Sequence, residues 1–390
     1  MQYEDFRTLL QAGKKAYTYL ADALKPELDR MLTKQPKLPV IWIEALSCTG
    51  DTISFENATS PTMEEIMKYL VDFRYHYILM AAGGNTAMQV MYDLYTREAG
   101  NYILIVEGAI PVGNTEGFTV VGTQRGLLGP AARREPLTAY QAIKHLGERA
   151  RYVMAVGDCA AWGGPSAAYP NPAGCVGVQK VLPKRRVINV PGCPIHPDWA
   201  VGTLAHLLLY GMPELDADGR PTDFFGRTIH NLCTRRQYFE NGIFARHLGD
   251  EGCLYRLGCK GPVTFADCPI RQWNSGHNWP VEDNTPCIGC TTPGFPDEME
   301  PFFEHLPDIR LPGVITTANR VARAAGLATG VGIGAHLALT WGSGRLAETL
   351  KRGLPKVAPR GTKTLPGKVL AALRLKRHAW YPDKKGTWQE

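Results

Sequence analysis

"LPVIWIEALSCTGD", residues 38–51, carries an unbroken apolar run and then stops on Ser, Cys, Gly and Asp. A run this short, rich in β-branched and aromatic residues and bounded by turn formers, reads as a strand covered on both faces. The same pattern recurs at "YHYILMAAG" (75–83), "NYILIVEG" (101–108), "RYVMAVGD" (151–158) and "RVINVPG" (186–192). Helical patterns lie between these runs at "SPTMEEIMKYLVDF" (60–73) and "PLTAYQAIKHLGERA" (136–150), and after the last of them at "HPDWAVGTLAHLLLYG" (196–211). Strand and helix in alternation predict an α/β fold with a doubly wound parallel sheet over residues 38–225.

Outside this span the character changes. Residues 1–37 show helical periodicity at Phe6, Leu9, Leu10, Ala16, Leu20, Leu24 and Leu28, closed by the "KQPKLP" breaker. Residues 226–300 are rich in Cys, Gly, Pro and Trp with little periodicity, so something other than a large apolar core must order them. Residues 301–390 read as short helices running into a basic tail. From Arg345 to Glu390 twelve Lys and Arg face three Asp and Glu, about +9, while the whole chain carries only +6. Such a tail is a solvated surface first and a docking element second, and no nucleic-acid role is expected from it.

The chain has 390 residues, of which 44% are hydrophobic and 21% charged. That is ordinary globular material, and ten cysteines in this length are too dilute for a disulfide-stapled scaffold. No signal peptide, twin arginine or membrane-length apolar run is found, so a cytoplasmic location is expected, with membrane contact at most peripheral. The closest approach to a span, "GLATGVGIGAHLALTW" (326–341), is Gly-rich and carries a His; it reads as a loop plus helix packed on protein. Clustered cysteines in a reducing compartment point to metal. The Gly pairs at 83 and 163 lack the lysine and spacing of a phosphate loop.

In an open parallel sheet ligands gather beyond the carboxyl ends of the strands. Cys48 follows the first strand with Asp51 on the same loop, Cys159 in "VGDCAAWGG" follows the strand at 152, and Cys193 in "VPGCPIHP" follows the strand at 187. These residues would converge on one edge, Asp51 standing where a Cys-x-x-Cys pair would have its second thiol. Further on, His230 and Cys233 lie three apart on one helix face, and Cys253 and Cys259 bracket "CLYRLGC". Cys268, Cys287 and Cys290 form a third group, with Pro280 among them. One imidazole and three thiolates suit tetrahedral zinc as well as a cluster, whereas a three-cysteine set without a fourth ligand suits a cuboidal iron–sulfur cluster lacking one iron. Cys175 is left over as a buried or loop thiol.

In combination and order these motifs are specific, with "VEGAIP", "DCPIRQWNSGHNWP" and "PCIGC" added to those above. The chain resembles the small, electron-transferring subunit of nickel–iron hydrogenases, from about Pro39 to Asp297. The resemblance implies a flavodoxin-like domain carrying the proximal cluster and a loop-rich iron–sulfur domain carrying the distal and medial clusters. It implies Cys48, Cys159 and Cys193 as ligands of a proximal 4Fe-4S cluster, His230, Cys233, Cys253 and Cys259 for a distal 4Fe-4S cluster, and Cys268, Cys287 and Cys290 for a medial 3Fe-4S cluster. It further implies an obligate large subunit holding the nickel–iron centre, a dimer of heterodimers, hydrogen oxidation as the direction, and no catalytic residue in this chain.

Asp51 departs from the commoner Cys. It resembles the actinobacterial-type, oxygen-insensitive class, in which an aspartate replaces that cysteine; the extra cysteines of another oxygen-tolerant class are Gly50 and Thr119 here. A carboxylate ligand to the fourth iron and a carboxylate that only bonds nearby backbone both stay open. A quinone reductase-like iron–sulfur protein is the nearest alternative, lacking the distal and medial ligand sets; a zinc-stabilised scaffold or nucleic-acid-binding protein is the alternative from another class. Glu107 reads as a structural carboxylate, His196 and His277 as packing histidines, and Trp162, Trp273 and Trp279 as walls around the clusters.

Overall fold

Five parallel strands make the main sheet: β1 (Leu38–Glu44), β2 (Val71–His76), β3 (Ile103–Glu107), β4 (Tyr152–Val156) and β5 (Val187–Val190), in the order β2-β1-β3-β4-β5. In this computed structural model residues 2–11, 30–31, 33–34, 36–113, 118–303, 309–311, 314–316 and 318–343 are described. The order is that of the flavodoxin-like fold, and its direction reverses between β1 and β3, which opens a crevice at their carboxyl ends. Register places Glu44 beside Glu107 there.

The strands are apolar throughout because both faces are covered. Side chains alternate sides with a period of two. Val40, Trp42, Ile103, Ile105, Met154 and Val156 enter one core, and Ile41, Ile43, Leu104, Val106, Val153 and Ala155 enter the other. Two predicted helices match, Ala139–Arg149 behind a Thr138 capping box and Pro197–Tyr210 with proline in its first turn.

The second strand needs correcting. It occupies Val71–His76, and the expected helix ends at Leu70. The apolar residues assigned to the strand, Tyr77, Ile78 and Leu79, lie at the surface, 68%, 48% and 39% exposed. A helix at Gly84–Arg97, missed behind the Gly83–Gly84 pair, buries Ala87, Met88, Met91 and Leu94 along one stripe.

At the N-terminus, Tyr3–Gln11 is helical and packs on its own chain. Phe6, Leu9 and Leu10 are buried, Arg7 Nε donates to Asp223 at 2.9 Å, and buried Arg271 donates to the Leu10 carbonyl at 2.6 Å. The periodicity at Ala16–Leu28 and the basic tail fall outside the described residues.

Contacts group Met1–Leu306 into one unit and Pro307–Glu390 into a second. In the second, the expected short helices are instead a hairpin, Ile309–Leu311 with Val314–Thr316, and one long helix, Ala318–Gly342. The Gly-rich stretch expected as loop plus helix is helical throughout, with Leu327 and Trp341 exposed. Among the described residues no helix is long and apolar enough to cross a membrane.

Candidate metal centres at the sheet edge and beyond

The loop after β1 is fixed from below by Glu107. This carboxylate at the end of β3 is fully buried. Its Oε1 accepts from Ser47 Oγ at 2.9 Å and the Asp51 N–H at 3.1 Å. Its Oε2 accepts from Trp42 Nε1 at 3.0 Å, the Thr52 N–H at 3.1 Å and Thr52 Oγ1 at 2.5 Å. A carboxylate taking five hydrogen bonds satisfies the loop's buried donors and sets its path. Thr49 turns the chain through a left-handed conformation, φ 62°, before the short helix Gly50–Glu56 begins.

Three loops are then tied together. Asp51 Oδ1 accepts from the Ile195 N–H at 2.8 Å, and Ser54 Oγ donates to the Ile195 carbonyl at 2.6 Å, joining the Cys48 loop to the Cys193 loop. The Asp158 N–H donates to the Gly192 carbonyl at 2.8 Å, joining the Cys159 loop to the same partner. Asp51 also lies on the backbone of Gly157, φ +81°, where an added Cβ would sit 1.9 Å from Asp51 Oδ2. Only glycine serves there, because both the left-handed backbone and the close approach exclude a side chain. Cys48, Asp51, Cys159 and Cys193 are thus brought to one edge, as expected.

The second and third sets are also assembled. His230, Cys233, Cys253 and Cys259 line one small hollow with Arg235. There the Cys233 thiol is pushed up to about 11 by burial, against the opposing pull of the Arg235 N–H on its sulfur and the Arg235 charge. Cys268, Cys287 and Cys290 line a cavity of about 330 Å³ together with Pro280, Trp273, Trp279 and Cys193 of the first set. The Lys260 N–H, next to Cys259, donates to the Cys287 carbonyl at 2.8 Å, so the second and third sets are joined as well. The spatial order is therefore the sheet-edge set, then Cys268–Cys287–Cys290, then the His230 set.

Among curated proteins the chain is similar to the "Periplasmic [NiFeSe] hydrogenase small subunit" of Desulfomicrobium baculatum, 40% identical over 278 residues, 68% of this chain and 87% of the relative. It is similar to the "Hydrogenase-2 small chain" of Escherichia coli K12, 39% identical over 297 residues, 74% of this chain and 76% of the relative. This chain belongs to the nickel–iron hydrogenase small-subunit family. The family description for the C-terminal part of the "NiFe/NiFeSe hydrogenase small subunit" matches residues 225–303, covering the second and third ligand sets. "NADH ubiquinone oxidoreductase, 20 Kd subunit" matches residues 48–207, the part that the quinone reductase alternative shares.

Of solved structures, the reduced, active Ni-Fe-Se hydrogenase from Desulfomicrobium baculatum matches with a TM-score of 0.65 and 39% identity over 70% of this chain and 100% of its own. The actinobacterial-type NiFe-hydrogenase from Ralstonia eutropha H16 matches with a TM-score of 0.63 and 29% identity over 85% and 95%. As a small subunit, the chain works as part of a hydrogenase with a large subunit that holds the nickel–iron centre, and its family carries iron–sulfur clusters.

The donors suit such clusters. Among the described residues no three His, Cys, Asp or Glu side chains are grouped to hold a single ion, as zinc would require with bonds of about 2.3 Å to sulfur. The Cys159 and Cys193 thiols are pushed up to about 12, first by burial and then by neighbouring thiols and carboxylates. Thiols so placed stay protonated unless a cationic core replaces the protons, as iron does.

His196 is a packing residue, as expected. Its Nε2 lies 2.6 Å from the Gln272 carbonyl and its Nδ1 accepts from the Asp198 N–H. Cys175 is buried in a turn closed by Asn171. Trp273 and Trp279 wall the third set, but Trp162 instead faces a separate hollow beside Asn189 and Asp216. Sequence reasoning passed over Asp158. Its one signal was an acid inside the apolar "VMAVGDCAA", and it is 1% exposed beside Cys159.

Proposed function

We propose that this chain is the electron-conducting subunit of a hydrogen-oxidising, oxygen-tolerant heterodimeric hydrogenase, with Asp51 as an oxygen ligand at the proximal centre. Cys48, Asp51, Cys159 and Cys193 would hold a 4Fe-4S cluster, Cys268, Cys287 and Cys290 a 3Fe-4S cluster, and His230, Cys233, Cys253 and Cys259 a second 4Fe-4S cluster; bound there, they supply one-electron relay. The single observation that carries this reading is the continuity of the three ligand sets: Cys193 lines the cavity of the middle set, and the Lys260 N–H, next to Cys259, donates to the Cys287 carbonyl.

The chain's own residues supply position and insulation. Glu107 holds the Cys48–Asp51 loop, Trp273 and Trp279 keep water from the middle cavity, and Arg235 braces the His230 set through the Gly252 carbonyl at 2.9 Å. Tyr77, Ile78 and Leu79 are exposed just past the carboxyl end of β2 and suit the large subunit's contact. The likeness to an actinobacterial-type enzyme and the Asp at position 51 support oxygen tolerance. A dimer of heterodimers in the cytoplasm, peripheral to any membrane, completes the proposal.

The test is metal analysis of the complex purified from its host through a tag on this chain. About eleven irons and one nickel per chain support the reading. About seven irons would remove one of the two four-iron clusters from it, and zinc in place of iron would overturn it.

A further inference from the structure

A cleft of about 600 Å³ lies along β5, the outer strand of the main sheet, and no residue of the three ligand sets lines it. Small-molecule sites usually measure about 300–1,000 Å³. Trp162, Lys180, Arg186, Asp216, Asp218 and Gly294 are part of its wall. Lys180 and Arg186 are exposed, so the cleft meets solvent, and among the described residues neither makes an ion pair. The two acids are already taken. Arg220, 4% exposed, places Nε on Asp216 Oδ2 at 2.8 Å and Nη2 on Asp218 Oδ2 at 2.9 Å. The charge left open to a ligand is therefore positive.

The wall reaches two of the ligand sets. Trp162 stands three residues after Cys159 within the short helix Gly157–Trp162. Residues so spaced on a helix have Cβ atoms about 5–6 Å apart. Gly294 follows Cys290 by four residues, and Arg220 Nη1 donates at 3.0 Å to the carbonyl of Thr291, the residue after Cys290. The same guanidinium lies 5.9 Å from the centroid of the Trp162 ring. One buried arginine thus joins the acidic turn of the cleft, its indole and the backbone beside a ligand of the middle set.

We propose that this cleft is an electron-exit site for a planar aromatic acceptor bearing a negative group. This rests on the clusters proposed above. Trp162 supplies an aromatic surface for the ring, and Lys180 and Arg186 supply charge for the anionic group. For each hydrogen molecule split in the large subunit, two electrons pass one at a time from the sheet-edge or middle cluster to the bound acceptor. The acceptor takes two protons from the solvent at the cleft and leaves in its two-electron-reduced form. Two protons are released at the nickel–iron centre, so atoms and charge balance.

The experiment measures hydrogen-dependent reduction of two planar dyes by the whole complex, anthraquinone disulfonate as the anion and methylene blue as the cation. The ratio of their kcat/KM values cancels a general loss of folding or of clusters. Lys180→Glu combined with Arg186→Glu is expected to lower the ratio of anion to cation about tenfold, through the KM of the anion, and less as salt rises. Ala217→Trp, which fills the cleft at an exposed position without changing charge, is expected to raise the same KM. A ratio within about twofold of wild type in the charge variant overturns the proposal. A lowered ratio there with an unchanged KM in Ala217→Trp also overturns it, because the charges then act on another face. If the charge variant does not fold, Lys180→Gln combined with Arg186→Gln is judged by the same ratio. Wild type that reduces neither dye fails the underlying relay instead, before any variant is compared.

Discussion

Replacing Glu107 by Gln keeps the side chain's shape and takes away one of its two acceptors. Oε1 serves Ser47 and the Asp51 N–H, while Oε2 serves Trp42, the Thr52 N–H and the Thr52 hydroxyl. Whichever end the amide nitrogen occupies, it meets an N–H that cannot turn away. The cheaper orientation points it at Ser47, whose hydroxyl can rotate and accept, leaving the Asp51 N–H unpaired at a cost of about 1–3 kcal/mol. The three remaining bonds lose their charge assistance, about 1 kcal/mol each. Relief of the repulsion that Glu107 exerts on Glu44 and Asp51 offsets part of this. A net loss of about 2–4 kcal/mol follows. The assay is urea unfolding of the heterodimer, with the cluster EPR signals recorded on the same samples. A lower midpoint and a broadened proximal signal are expected, with medial and distal signals intact. A midpoint within about 0.5 kcal/mol of wild type with an unaltered proximal signal refutes the idea that Glu107 positions this loop.

Gly157→Ala places a methyl 1.9 Å from Asp51 Oδ2 in a left-handed backbone, and it is expected to cost about 2–5 kcal/mol and displace Asp51, read as a change confined to the proximal signal. Pro280→Cys puts a thiol on the cavity of Cys268, Cys287 and Cys290, and it is expected to raise the iron count by about one per chain, measured by metal analysis and loss of the three-iron signal. Burial lowers His76 to about 4, so between roughly pH 6.5 and 4 the unfolded chain binds the extra proton and stability falls as pH falls. His76→Gln should flatten that limb by up to about 1.4 kcal/mol per pH unit, measured by unfolding between pH 5 and 6.5.

The sheet was legible because its strands are buried on both faces, and an uninterrupted run such as Val40–Ile43 has little other use. Three loops ending in Cys48, Cys159 and Cys193 were legible for the same topological reason. At Tyr77–Leu79 the reasoning failed, because apolarity says that a residue avoids water, not whether its own chain or another molecule covers it. The Gly84–Arg97 helix hid because a glycine pair usually punctuates a chain, whereas here Gly83 is the cap and Gly84 the first residue of the helix. Glu107 was assigned a structural part without its content, since five donors from three segments converge on it only in three dimensions. Asp158 escaped because a motif recognised for its cysteine drew no question about the neighbouring acid.

Cys193 belongs to the sheet-edge set and also forms part of the wall of the middle cavity. One residue thus borders both spaces, and its two sides are joined by covalent bonds rather than by the packing of separate elements. Thermal breathing that shifts one side carries the other with it. In the proposed relay, that shared residue would tie the spacing of the first step to one stretch of backbone, so strain on the Cys193 loop would reach both centres together.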